Sequence, residues 1–168
     1  YWRDWSSDVC SSDLVDGMPV SSSRVRSLLA GGDVAAAAAL LATPYRLEGE
    51  VVRGAARGRT LGFPTANLAA IETLVPAPGV YAGRAILVDD RGRSWAAAVH
   101  VGTSATFGTT VPTVEVHLVG FDGDLYGRHL GVDFLARLRD TRRFDSPEAL
   151  RAALSADVSR AVGVASGG

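Results

Sequence analysis

The sequence predicts a mainly antiparallel β fold, either a sandwich or a barrel, with a helix after it and a short helical hairpin before it. Between residues 47 and 135, apolar and polar residues alternate in several short segments, and no helical segment interrupts them. Helical periodicity is confined to residues 15–43 and to the segment after Ser146. Successive strands without intervening helices favour antiparallel pairing over a doubly wound parallel sheet.

The first 14 residues differ from the rest of the chain. Tyr1–Leu14 contains a near-repeat of Ser-Ser-Asp and follows neither helical nor strand periodicity. The stretch resembles translated sequencing-adapter DNA joined to a truncated reading frame. We therefore expect a non-native or disordered head without function.

Three helices are predicted from their end signals. Serines at 21–23 can cap a helix that the glycines at 31–32 end, and Asp33 can cap an alanine-rich helix that ends before Pro44. Near the other end Ser146 can cap a third helix, which should pack on the β structure through one apolar face. The residues of that face are Leu150, Leu154, Val158 and Ala161.

Five strands are predicted between these helices. Leu47–Arg53 leads into a glycine-rich segment, and two pairs of strands then flank segments with the composition of turns. We predict a hairpin at each pair. The pairs are Val80–Val88 with Ser94–Val101, and Val111–Val119 with Leu125–Leu135.

The composition limits the possible chemistry and partners. All 17 basic residues are arginine, so a Walker-type phosphate lysine, a Schiff-base lysine and a pyridoxal-phosphate enzyme are excluded. The net charge of −1 favours a small ligand over nucleic acid or a membrane. The single Cys10 cannot form an internal disulfide, and no apolar run reaches membrane-spanning length. We predict a cytoplasmic protein without a nucleic-acid or membrane partner.

The segment from residue 54 to residue 67 combines several features that suit phosphate binding. Its glycines let a ligand approach main-chain N–H groups, and Arg59 adds positive charge among them. Glycine spacing alone would favour an ordinary surface turn. The glycines are Gly54, Gly58 and Gly62.

The end of this segment contains a candidate metal site. Pro64 favours an extended backbone at Phe63, and in an extended chain Thr65 and Asn67 point to the same side. A hydroxyl and an amide oxygen are hard neutral ligands that suit Mg²⁺ when it also holds phosphate oxygens. The alternative is a pair of local turn hydrogen bonds.

Glu115 is the candidate acidic residue. Val114 and Val116 share one face of a predicted strand, which leaves Glu115 and His117 on the other. The alternative for Glu115 is a cross-strand ion pair with an arginine. Glu115 and His117 could contribute to a metal site, but the other two histidines lack the spacing to complete it, and a strand-surface histidine is the favoured interpretation.

Together these motifs resemble riboflavin kinase. Residues 54–67 match its nucleotide-binding signature, which closes on Pro-Thr-Ala-Asn, and the resemblance spans about Tyr45–Val162. Further matches occur in the family's order at Pro78–Tyr81, Val101–Thr103, Val114–His117, Phe121–Gly127, Leu138–Asp140 and Phe144–Ser146. A member of this family is expected to have a six-stranded antiparallel Greek-key barrel with a C-terminal helix. It is also expected to use Mg²⁺ while moving the γ-phosphoryl group of ATP to the ribityl 5'-hydroxyl of riboflavin, giving FMN and ADP.

The resemblance implies the roles of individual residues. Thr65 and Asn67 would hold Mg²⁺, the glycine segment and Arg59 would bind the phosphates, and Glu115 would be the catalytic base. Four further residues match ligand-contacting positions. They are Leu125 and Tyr126 near the adenine, Arg139 at the flavin or the phosphates, and Phe144 at the flavin. A solvated basic segment is the alternative for the arginine, and a core position is the alternative for the phenylalanine.

The resemblance also suggests domain boundaries. Ser21–Arg26 is similar to the end of the adenylyltransferase domain of bacterial bifunctional FAD synthetases, but an ordinary capped helix is the favoured interpretation, because the rest of that domain is missing from the sequence. We expect residues 15–44 to be a helical remnant of that domain, 45–163 to be the kinase domain and 164–168 to be a flexible tail. The adenylyltransferase's His-x-x-His signature is absent, so we predict no FAD synthesis by this chain.

Two segments depart from the family pattern. Ser104–Phe107 stands where many members have Asn-Pro-Thr-Phe, which could loosen a loop. Thr141 stands where many members have a glutamate, which removes a carboxylate able to orient Arg139. A flavin-binding barrel that no longer phosphorylates is therefore the alternative function. An oligonucleotide-binding barrel ranks below both, because the chain has no basic stripe.

Overall fold

Six antiparallel strands close into a barrel on which the helices pack. The structure is a computed structural model that describes residues 14–15, 18–54, 57–90, 92–106 and 109–167. The barrel strands are β3 (Tyr45–Val52), β4 (Ala66–Ala69), β5 (Gly79–Leu87), β6 (Ser94–Thr106), β7 (Thr109–Leu118) and β8 (His129–Arg139). Two short strands that precede them, β1 (Leu14–Val15) and β2 (Met18–Pro19), pair with each other outside the barrel. The helices are α1 (Ser22–Gly31), α2 (Val34–Leu41), α3 (Arg57–Thr60) and α4 (Pro147–Ser166). No helix in the described ranges combines the length and the apolar character that crossing a membrane requires.

The strand order confirms the Greek-key barrel. Around the barrel the order is β3-β4-β7-β6-β5-β8, and β8 pairs with β3 to close it. Strands β5, β6 and β7 pair in sequence, and β8 returns to lie beside β5. Three consecutive strands followed by a fourth beside the first define a Greek key.

One of the two predicted hairpins is wrong. The β5–β6 hairpin forms as expected, but β7 does not pair with β8. Instead β7 pairs with β6 and β4, whereas β8 pairs with β5 and β3. Residues 119–128 therefore form the connection that completes the Greek key. Turn-forming residues in this segment indicated a change of chain direction, but they do not determine which strands become neighbours.

Alternating side chains fill the barrel interior. In β3, Leu47 and Val51 are buried, and the residues beside them along the strand are exposed. Tyr81 of β5 and Phe134 of β8 are the largest fully buried side chains, and their rings meet edge to face at 5.2 Å. The period of two that predicted the strands therefore also determines which side chains form the core.

The predicted helical hairpin packs on the barrel. Ser21 and Asp33 cap α1 and α2 by accepting hydrogen bonds from backbone N–H groups at 3.2 and 2.9 Å. Arg137 of β8 donates to the carbonyl oxygens of Gly31 at 2.9 Å and Pro78 at 2.8 Å. One arginine therefore joins the hairpin and the start of β5 to the end of β8.

Helix α4 packs on the outer face of the barrel. Its N-cap is Ser146, as predicted, and it continues to Ser166, so residues 164–166 are helical and do not form a tail. Asp157 of α4 accepts hydrogen bonds from Nε and Nη2 of Arg139 in β8, the shortest at 2.7 Å. The Asp157 side chain is only 5% exposed and the Arg139 side chain 20%. This buried ion pair fixes the helix against the barrel.

Replacing Asp157 by asparagine should destabilise the fold. The change leaves the largely buried Arg139 guanidinium without its counter-charge, a loss of about 3–5 kcal/mol in the free energy of unfolding. Urea denaturation of parent and variant measures this difference. Asp90→Asn is the matched control, because Asp90 pairs with an exposed Arg93 and should contribute less than about 1 kcal/mol. Equal losses in the two variants would refute the importance of the buried pair.

The stability of the fold should fall at alkaline pH because of Tyr81. Burial raises the pKa of the Tyr81 hydroxyl; nearby Arg137 opposes this effect and Asp140 adds to it. A raised folded-state pKa means that the folded protein holds the phenol proton more tightly than the unfolded chain does. The resulting stabilisation is fully present at pH values below the unfolded pKa of about 10 and is lost as the pH rises through the folded pKa. The chain has no lysine to titrate in this window.

The measurement is the free energy of unfolding between about pH 8 and pH 11. We expect a steeper alkaline decline in the parent than in Tyr81→Phe. Tyr126→Phe removes an exposed phenol and serves as the control. A Tyr81→Phe curve parallel to that of the parent would show that Tyr81 is not the group responsible.

Candidate active site

A row of polar side chains crosses the outer face of the barrel. Asn67 of β4 is the register partner of Glu115 of β7, and Glu115 is the register partner of His100 of β6. Opposed residues in antiparallel strands point to the same face, with Cα atoms about 4.5–5.5 Å apart. The residues on either side of the row are buried, which places the row outside the core. They are Ala66, Leu68, Val99, Val101, Val114 and Val116.

A cavity of about 380 Å³ lies on this face, between the barrel, helix α4 and the glycine segment. Five of the residues predicted from the sequence line it. They are Gly58, Thr65, Glu115, Arg139 and Phe144. Much of the remaining wall is apolar and includes Leu61, Val80, Ala98, Leu150, Leu154 and Val158. A largely apolar cavity with a few polar groups is the usual form of a small-molecule site.

The three glycines meet different backbone requirements. The Asn67 amide group occupies the space that a Cβ on Gly54 would need. Gly58 lies against the Phe63 carbonyl oxygen, and its own carbonyl accepts from the Phe63 N–H at 2.9 Å. Gly62 has a φ of +85°, in the left-handed region that favours glycine. Close packing and turn geometry therefore explain why glycine stands at these three positions. Contact between the glycine segment and phosphate remains a prediction.

Arg59 lies in the short helix α3, outside the cavity lining. Its side chain is exposed and forms no ion pair within the described ranges. An unpaired guanidinium beside the glycine turn is available to an anionic ligand. Phosphate binding by Arg59 remains a prediction.

His117 connects two parts of the site. Its Nδ1 atom lies 2.8 Å from the carbonyl oxygen of Pro64, and its ring meets the edge of Phe63 at 5.6 Å. His117 is a strand-surface histidine, as expected, and in addition it has a hydrogen bond to the residue before Thr65. His117 and Thr65 both line the cavity.

Arg139 is held by the protein itself. Besides its bonds to Asp157, it donates from Nη1 to the Asp140 carbonyl oxygen at 3.0 Å. Its guanidinium lies 5.6 Å from the ring of Phe144, and that of Arg142 lies 4.8 Å from the same ring. Arg139 is therefore not part of a solvated basic segment. Many family members have a glutamate where this chain has Thr141. In this chain, Asp157 of α4 supplies a carboxylate to Arg139.

Leu125 and Tyr126 lie apart from the cavity. Tyr126 is 47% exposed, and the guanidinium of Arg53 lies 4.9 Å from its ring. Leu125 is half-buried against the core. These residues adjoin the end of β3, where the glycine segment begins, and their predicted contact with adenine remains a prediction. Phe107, at the end of the departing segment Ser104–Phe107, lies outside the described residues.

Two residues of the site were not recognised from the sequence. His100 lies between two buried valines of β6, as Glu115 does in β7. Its position beside Glu115 depends on the pairing of β6 with β7, and sequence periodicity does not predict which strands pair. Asp157 lies on the same helix as the predicted apolar face, and its partner is 18 residues away. Among the described residues, no cluster of three or more His, Cys, Asp or Glu side chains could hold a metal ion. The predicted magnesium site would therefore depend on neutral ligands such as Thr65 and Asn67.

Comparison with known proteins identifies the family. The family model described as flavokinase, riboflavin kinase, matches residues 41–164. A bifunctional riboflavin kinase/FMN adenylyltransferase from Pseudomonas fluorescens is 43% identical over 148 residues, which cover 88% of this chain and 47% of the relative. The Escherichia coli K12 protein of the same description is 37% identical over 84% of this chain and 44% of its own length. The chain thus spans about half the length of these curated relatives.

A solved structure shares the architecture. It comes from Streptococcus pneumoniae, is described as a macrolide-efflux protein, and has a TM-score of 0.79 at 36% identity. The match covers 85% of this chain and 46% of that one. The efflux description applies to that protein, whereas the family model matches most of the present chain. The chain belongs to the riboflavin kinase family.

Proposed function

We propose that this chain transfers the γ-phosphoryl group of ATP to the ribityl 5'-hydroxyl of riboflavin, giving FMN and ADP. Family membership supports this reaction, and the relatives are described as bifunctional riboflavin kinase/FMN adenylyltransferases. The register pairing of Asn67 with Glu115 supports the residue assignment best, because it brings a proposed metal ligand beside the proposed base. Thr65, the other proposed ligand, lines the same cavity as Glu115. The cytoplasm is the proposed location.

Glu115 would accept the proton of the attacking hydroxyl. As the ribityl oxygen bonds to the γ-phosphorus, the bond to the bridging oxygen of ADP breaks and the hydroxyl proton must leave. A carboxylate within reach of that hydroxyl can take the proton and later release it to solvent. Glu115 is half-buried in the cavity wall, where the substrate hydroxyl can reach it.

Thr65 and Asn67 would hold Mg²⁺. Their hydroxyl and amide oxygens are ligands that this ion accepts, and the neighbouring Glu115 carboxylate gives the site negative charge. Gly54 leaves the space in which the Asn67 amide lies. When bound, Mg²⁺ would neutralise charge on the transferred phosphoryl group and orient it. The residues of the chain therefore fit this ion together with a nucleotide phosphate.

The two substrates would occupy different parts of the site. The apolar cavity wall suits the flavin ring, with Phe144 and the immobilised Arg139 at its edge. The glycine segment and Arg59 would lie along the phosphates, and Tyr126 would lie near the adenine. This arrangement would direct the ribityl chain of the flavin toward Glu115.

Riboflavin, ATP and Mg²⁺ should yield FMN, and Glu115→Gln should slow this reaction. The amide cannot take the proton, so kcat should fall on the order of 10²–10⁴-fold. Chromatographic separation of riboflavin, FMN and FAD measures the product. Glu48→Gln is the control, because Glu48 is an exposed residue of β3 outside the cavity lining.

The outcomes separate the two candidate functions. Riboflavin binding without FMN formation by the parent chain would favour the non-catalytic flavin-binding barrel. A Glu115→Gln variant as fast as the parent would exclude Glu115 as the base while leaving the kinase activity intact.

A further inference from the structure

We propose that His117 is a positioning residue for phosphoryl transfer, because it fixes the turn that carries Thr65 to the strand that carries Glu115. This inference rests on the proposed function, in which Thr65 and Glu115 act on the same phosphoryl group. It concerns a residue that holds the reacting groups in place and does not itself react.

The backbone pairing of β4 with β7 ends just short of Thr65. The ladder runs through Leu68, Asn67 and Ala66, and its last pair joins Ala66 to Val116. Thr65 precedes the first residue of β4, so this ladder does not fix its position relative to β7. Asn67, by contrast, lies within the ladder. The two proposed metal ligands are therefore held in different ways.

His117 continues the connection where the ladder stops. It follows Val116 on β7, and its Nδ1 atom lies 2.8 Å from the carbonyl oxygen of Pro64, the residue before Thr65. The edge-on contact between the rings of His117 and Phe63, at 5.6 Å, is a second link to the same turn. Because proline has no backbone N–H, its carbonyl is the only backbone hydrogen-bonding group that Pro64 can offer.

The same contact determines where the proton of the imidazole lies. A carbonyl oxygen only accepts hydrogen bonds, so Nδ1 of His117 must carry the hydrogen. In the neutral ring Nε2 is then left as an acceptor. His117 also lies two residues after Glu115 on the same face of β7, so one strand presents both the proposed base and the residue that positions Thr65.

The consequence for activity follows from the required geometry. A displacement of about 1 Å in a positioning group can lower the rate of a reaction on the order of 10²-fold. Without the His117 bond, Thr65 can move relative to Glu115 while Asn67 stays in the ladder. The loss should therefore affect the use of Mg²⁺ and ATP and leave the binding of riboflavin to the apolar wall unchanged.

The first experiment measures the tautomer. The chain has three histidines, so ¹⁵N spectra of the labelled full chain at neutral pH should resolve their rings, and the signals lost in His117→Asn identify that residue. We expect Nδ1 to be protonated and Nε2 to be bare. A neutral ring protonated only at Nε2 would overturn the inference, whatever the enzyme activity, because Nδ1 could not then donate to Pro64.

The second experiment separates positioning from general stability. His117→Leu removes the donor, whereas the amide N–H of His117→Asn lies near the position of Nδ1 and can still donate. We expect His117→Leu to raise KM for MgATP and lower kcat, each roughly tenfold, with His117→Asn recovering most of both. Riboflavin affinity, measured by flavin fluorescence, should stay within about twofold of the parent in both variants.

The control and the contradicting results follow from the structure. His129→Leu alters an exposed histidine of β8 outside the cavity lining and should leave all three quantities unchanged. Kinetic constants of His117→Leu equal to those of the parent would overturn the positioning role. An equal loss in His117→Asn and His117→Leu would also overturn it, because the donor would not matter. A parent chain that forms no FMN would instead overturn the proposed function, while the tautomer would still be decided by the spectra.

Discussion

The register between β4 and β7 is the constraint on which the candidate site depends. Ala66 and Leu68 on one strand, and Val114 and Val116 on the other, are buried in the barrel. A shift by one residue would turn each strand's apolar side chains to the outside and its polar ones to the core. Burial of the core therefore keeps Asn67 and Glu115 on the same outer face, where the observed register makes them partners. The same forces that close the barrel bring the two polar groups together.

The helices are attached to the barrel through neighbouring arginines at the end of one strand. Arg137 binds carbonyl oxygens of the helical hairpin and of the segment before β5, and Arg139 binds Asp157 of α4. Both bind through a planar guanidinium with several donors, which a lysine could not reproduce. Because α4 forms one wall of the cavity, the Arg139–Asp157 pair also determines the shape of the site. The stability of the fold and the geometry of the cavity share this interaction.

The sequence was most informative where local rules decide the structure. Alternating residues predicted five of the six barrel strands and the core side of β7, and cap residues such as Ser146 predicted the helix starts. The segment closing on Pro-Thr-Ala-Asn indicated Thr65 and Asn67, and the valines around Glu115 placed it on the polar face. These features depend on a few residues that are close in sequence. The barrel itself was predicted only through the resemblance to a family.

Features that depend on long-range pairing could not be predicted in the same way. The short strand β4 was expected only as an extended exit from the glycine segment, and the pairing of β7 with β8 was predicted wrongly. His100 beside Glu115, Asp157 beside Arg139 and the bond from His117 to Pro64 each join residues from different elements. Periodicity shows which way a side chain faces, but the neighbour across a sheet or beneath a helix follows only from the topology.

The central claim is that Asn67, held opposite Glu115 by this register, binds the divalent cation of a nucleotide. Asn67 is the only asparagine in a chain without glutamine, so a ¹H–¹⁵N spectrum contains one pair of carboxamide NH₂ signals. Titration with Mg²⁺ and ADP should shift this pair, and replacing Mg²⁺ by paramagnetic Mn²⁺ should broaden it beyond detection. A pair that keeps its position and linewidth at saturating nucleotide with either ion would contradict the account.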